Sequence, residues 1–131
     1  MRIQAEVSAS NPAACTFRVD SPELSQYGWQ GRRNFYFRAP LPSAAEEYRH
    51  NFELIGSKGE ALVRELCKIP GVESVCLAPN RVLVVIRSNS QLAWANLIPQ
   101  VWPAFSAAFP DEVLQTFSDG AEFIPTDAGP A

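Results

Sequence analysis

Val82-Leu83-Val84-Val85-Ile86 is a run of five aliphatic residues, mostly β-branched, between Arg81 and Arg87. A run this short and this branched reads as a strand in the middle of a sheet, buried on both faces or nearly so. Ahead of it, Val72-Glu73-Ser74-Val75-Cys76-Leu77 leads through Ala78-Pro79-Asn80, a turn of residues that favour chain reversal. The two segments therefore read as a β-hairpin.

Upstream, Ile3 to Ala9 alternates apolar and polar residues, as does Ala14 to Val19, where Cys15, Phe17 and Val19 share one face. Both have the period of two expected of strands, and Asn11-Pro12 between them favours a turn. Residues 21–33, with Pro22, Gly28 and Gly31, read as a loop, and Asn34-Phe35-Tyr36-Phe37-Arg38 as a short aromatic strand. Pro40, Pro42 and the polar stretch 43–51 read as irregular, with one helical turn at 44–49.

Ser57-Lys58-Gly59-Glu60 has the form of a capping box and opens a helix, with Ala61, Leu62, Leu66 and Ile69 at helical spacing. Lys68 suits the negative end of the helix dipole, and Pro70-Gly71 stops it. A second helix is expected over 91–109 after the capping residues Ser88-Asn89-Ser90. Trp94, Leu97, Val101, Phe105 and Ala108 form its face, and Ile98, Trp102 and Phe109 widen it. Pro99 and Pro103 predict a bend. The order of elements is that of an α+β fold: two layers, an antiparallel β-sheet with two main helices packed on one face.

At 131 residues the chain suits one domain, and 47% hydrophobic with 19% charged residues is globular composition. The net charge of −3 is uneven. Residues 110–131 hold Asp111, Glu112, Asp119, Glu122 and Asp127 with no base, which leaves 11 positive and 9 negative groups elsewhere. The folded domain is expected over 1–109, and 110–131 as an acidic, partly disordered tail containing proline and glycine. The slight basic excess before it is too weak to indicate nucleic acid. No apolar run is long enough to cross a bilayer, and residues 1–10 lack the apolar core of a secretion signal. The expectation is a cytoplasmic protein without membrane contact.

Two stretches resemble a known family. Leu66-Cys67-Lys68-Ile69-Pro70-Gly71-Val72-Glu73-Ser74-Val75, followed by the strand Val82 to Ile86, is similar to a segment of the N-terminal domain of Nfu/NifU-type iron–sulfur cluster scaffold proteins. There a helix ends in leucine, isoleucine, glycine and valine at this spacing and runs into a hairpin. Trp94-Ala95-Asn96-Leu97-Ile98-Pro99-Gln100-Val101 resembles the family's last helix, and Asn11-Pro12 before Cys15-Thr16-Phe17 its early strand. Residues 9–20 and 57–109 carry the likeness; 21–56 match poorly. Cys67 and Cys76 fall where the family tends to place phenylalanines, and the cluster-binding CxxC of the scaffolds' second domain does not occur here. The resemblance implies a fold and a pathway: an accessory module of iron–sulfur cluster assembly whose partner is a scaffold or client protein. It transfers no catalytic, metal-binding or cofactor-binding residue.

The residues themselves offer few alternatives. Three cysteines, Cys15, Cys67 and Cys76, form no CxxC pair, and free cysteine on an apolar element behaves as a small hydrophobe. Cys67 and Cys76 are the only candidate ligands, for iron or an iron–sulfur cluster shared across a homodimer. His50 and the pair Glu46-Glu47 read as solvated loop residues, without a nucleophile motif nearby. Trp29, Arg32, Arg33, Phe35, Tyr36, Phe37 and Arg38 interleave bases and aromatics, which a strand with one solvated face also does. The last helix has more large apolar residues than one stripe needs, so Trp102 and Phe109 are the candidate partner surface. No enzymatic constellation is present, and no enzyme is expected.

Overall fold

The computed structural model of the chain describes residues 1–20, 34–42, 46–78, 81–86 and 94–119. Six strands form one sheet: β1 (Arg2–Val7), β2 (Ala14–Asp20), β3 (Phe35–Arg38), β4 (Val72–Ala78), β5 (Arg81–Ile86) and β6 (Gln115–Asp119). Their spatial order is β3-β4-β5-β2-β1-β6, with every neighbouring pair antiparallel except β1 and β6. Two helices, α1 (Arg49–Cys67) and α2 (Trp94–Ala108), complete an α+β fold.

The register shows how alternation builds the core. Directly paired residues share a face. One row runs Phe35, Leu77, Val82, Phe17, Ala5, and the next Phe37, Val75, Val84, Cys15, Val7. Nearly all of these are buried, and both helices cover this face. Phe37 stacks on Phe52 of α1 at 5.2 Å between ring centres, and Phe17 meets Trp102 edge-on at 5.8 Å on α2. A register shift between Val72 and Ser74 lets both Val72 and Val75 reach the core.

The hairpin, the first two strands and the aromatic strand stand where the sequence placed them. The aliphatic run is indeed central, between β4 and β2, but it is not buried on both faces: Leu83 and Val85 are half-buried. One side of the sheet carries helices among the described residues, so only alternate side chains gain full cover.

Three expectations change. The first helix begins at Arg49 rather than Ser57, preceded by a 3-10 turn at Glu46–Tyr48. Gly56, at φ 84° and ψ 175°, divides it into two segments, so the expected start is an internal kink. Glu60 does not turn back to cap; its carboxylate accepts from Arg64 Nε at 2.8 Å. The second helix is described from Trp94 and runs through Pro99 and Pro103 to Ala108 as one assigned segment. Residues 91–93 lie outside the described residues.

The last strand was not expected. β6 lies beside β1 in parallel, and the Gln115 amide donates to the Met1 carbonyl at 2.8 Å. The expected loop at 21–33, residues 43–45 of the expected irregular stretch, the expected turn residues Pro79 and Asn80, the expected capping residues 88–90 and residues 120–131 of the expected tail lie outside the described residues.

Candidate functional site

The three thiols sit in three different surroundings. Cys15 is wholly buried on the helix-covered face, paired with Val84. Burial pushes its pKa up to about 12; the Glu6 carboxylate adds to the rise and a backbone hydrogen bond at Glu6 opposes it. Cys67 closes α1 within the apolar cluster, and burial alone raises it to about 12. Cys76 is half-buried and also raised by burial. It faces the opposite side of the sheet from Val75 and Leu77, in line with Tyr36 and Leu83.

The structure therefore does not bring Cys67 and Cys76 together within one chain. One belongs to the helix layer and the other to the open sheet face, with the sheet between them. A thiolate is the form that ligates metal or attacks an electrophile, and desolvation disfavours it at all three positions. Among the described residues, no group of three or more His, Cys, Asp and Glu side chains is placed to hold a metal ion. Cys67 also edges a surface depression of about 690 Å³ lined by Pro40, Leu41, Arg64 and Lys68. Its two cations are already engaged: Arg64 with Glu60, and Lys68 with Glu65 at 3.0 Å.

Of the candidate partner surface, Trp102 and Phe109, the second is corrected. Phe109 is fully buried; its amide donates to the Phe105 carbonyl at 2.9 Å, and Lys58 Nζ lies 5.7 Å from its ring centre. Trp102 is half-buried against Phe17. The surplus apolar residues of α2 fill the core because the helix meets both the sheet and α1, which widens its buried stripe. Even Trp94 is tied inward, its indole N–H donating to the Pro12 carbonyl at 2.8 Å.

The remaining polar candidates stand apart. His50 and Glu53 are exposed, 3.9 Å apart, and Glu46 faces Arg49 at 3.9 Å on the solvent side. Of the interleaved bases and aromatics, Phe35 and Phe37 are core residues while Tyr36 and Arg38 are exposed. Trp29, Arg32 and Arg33 lie outside the described residues.

The sheet face away from the helices is the feature that residue-by-residue reading missed. Its rows run Tyr36, Cys76, Leu83, Thr16, Glu6 and, beside it, Ala78, Arg81, Arg18, Gln4, Phe117. Tyr36 is 54% exposed, and its hydroxyl donates to Ser74 Oγ at 3.1 Å. Phe117 is 45% exposed beneath the Arg2 guanidinium, 5.1 Å from the ring centre. The signal was available: in β1, β2, β3 and β5 the exposed positions that alternate with buried ones include Arg2, Arg18, Arg38 and Arg81.

Among the described residues no helix is long and apolar enough to cross a membrane. No protein-family model matches the chain, and no curated protein matches it in sequence. Its fold is similar to that of protein SAV1430 from Staphylococcus aureus, known from a crystal structure. The TM-score is 0.54 at 15% identity, over 80% of this chain and 99% of that one. A solution structure of SeR13 from Staphylococcus epidermidis is 16% identical over 79% of this chain and 91% of that one. Its TM-score of 0.42 is too low to carry an argument. The likeness to the first is one of fold.

Proposed function

We propose that the chain is an accessory or interaction module associated with iron–sulfur cluster assembly, acting through protein–protein contact rather than catalysis. The association rests on the Nfu/NifU N-terminal resemblance of Leu66 to Val75 and Trp94 to Val101. The mode of action rests on one observation. Burial holds the thiols in their protonated form at separate places, while a broad sheet face carries no helix among the described residues. The residues matching the family's segments serve the fold: Leu66, Val72 and Val75 are core, and Gly71 takes φ 94° in the turn where the Val72 amide donates to the Ile69 carbonyl at 3.2 Å.

The partner is a scaffold or client protein of that pathway. Pull-down of purified cluster-assembly proteins with the folded, monodisperse chain should recover at least one. Recovering none counts against the reading. Ligation of iron or a cluster by Cys67 and Cys76 across a homodimer is the rival account. It would need two protonated thiols on opposite sides of the sheet to meet their counterparts in a second copy.

A further inference from the structure

We propose that the sheet face opposite α1 and α2 binds an acidic polypeptide segment, one whose carboxylates flank an aliphatic or aromatic anchor. The proposal rests on reading the chain as a contact module and is independent of the iron–sulfur link.

Charge is the first argument. Arg2, Arg18, Arg38 and Arg81 all project from this face and are exposed, while the register places three acidic positions, Glu6, Asp20 and Asp119, on the same face. Four bases against three acids leave this face one base in excess in a chain that carries −3 as a whole, and the excess lies at Arg18, Arg81 and Arg38 on β2, β5 and β3. Opposed potentials of this kind steer and orient partners more than they set affinity.

The second argument is local. Arg18 and Arg81 stand directly opposite each other in the β2–β5 register. Like charges in that position destabilise a ladder. Glu6 relieves Arg18 at 3.5 Å, and no carboxylate among the described residues pairs with Arg81 or Arg38. A carboxylate arriving between the Arg18 and Arg81 guanidinium groups would offset their mutual repulsion, and the planar fork of arginine suits it for two parallel hydrogen bonds.

The third argument concerns the centre of the face. Cys76, Leu83 and Val85 are half-buried there, with Thr16 beside them. This aliphatic patch between arginines matches an apolar anchor flanked by acids. A single-stranded nucleic acid would need neighbouring exposed rings on which successive bases stack. Among the described residues, the two exposed aromatics sit instead on the two edge strands, β3 and β6, with four strands between them. One already carries an arginine and the other hydrogen-bonds to Ser74.

The test uses the full chain as target for a random-peptide display library, with the Arg18→Glu/Arg81→Glu variant as counter-target. Enriched peptides should carry Asp or Glu on both sides of a large apolar residue and bind the variant at least about ten-fold more weakly. Amide shifts on titration with such a peptide should centre on β2, β4 and β5. Arg81→Gln, which removes one charge without reversing it, should show a smaller loss of the same kind. The proposal is overturned by basic or neutral enriched peptides, by equal binding to the double variant, or by shifts confined to the helices. It is also overturned if poly-dT moves the β2, β4 and β5 amides while the enriched peptides do not. If the double variant captures a cluster-assembly protein as well as the wild type does, the face is wrong while the pathway reading stands. If pull-down recovers nothing but acidic peptides bind, the reverse holds.

Discussion

Phe109, Cys15 and Cys67 carry the residue-level argument, because each is defined by its lack of water. Phe109 has no exposed surface, so Phe109→Ala should leave a cavity and cost about 3–5 kcal/mol. A surface aromatic would shift stability by only about 0.5 kcal/mol, so the urea midpoint separates core from partner surface. For Cys15 and Cys67 the folded pKa lies above the unfolded value of 9.0, at about 12. The unfolded chain therefore binds fewer protons once pH passes 9.0, and their contribution to stability is intact below that pH and lost as pH climbs toward 12. Chemical denaturation across that range should show stability falling, with a shallower fall in Cys15→Ala; equal slopes would contradict the assignment. Iodoacetamide should alkylate half-buried Cys76 first and reach the other two thiols only on unfolding.

At the scale of elements, α1 shows what a kink does to a pattern. Gly56 adopts backbone angles open in practice only to glycine, so Gly56→Ala should cost about 1–3 kcal/mol, measured by thermal or urea unfolding. A neutral outcome would mean that the helix straightens through this point. The same kink hid the first half of the helix from sequence reading. Ser57 with Glu60 looked like a start, whereas Phe52, Ile55, Gly59, Leu62 and Leu66, all buried, repeat at intervals of three and four across it. That spacing was the legible signal. β6 had none: in Gln115-Thr116-Phe117-Ser118-Asp119 the only large apolar residue is exposed. An edge strand with little to bury writes no alternation. The hairpin and β2 were readable because each buries every second residue. The half-exposure of Leu83 and Val85 was not, since aliphatic residues on an uncovered face look the same in sequence as those in a core.

For the molecule as a whole, α1 and α2 cover one sheet surface, and among the described residues the other carries no helix. The candidate residues divide accordingly. Cys15, Cys67 and Phe109 serve the core, while Cys76 and the exposed arginines face outward. Sequence alone identified the fold class but not this division, because facing is a property of register and register is set by pairing across the sheet. The division underlies the claim that the chain works by contact and asks no ligand chemistry of its cysteines. Anaerobic incubation of the purified chain with iron and sulfide, followed by absorbance and iron analysis, tests that claim most directly. The account predicts a colourless, iron-free protein. A brown product whose colour is lost in Cys67→Ala or Cys76→Ala would contradict it.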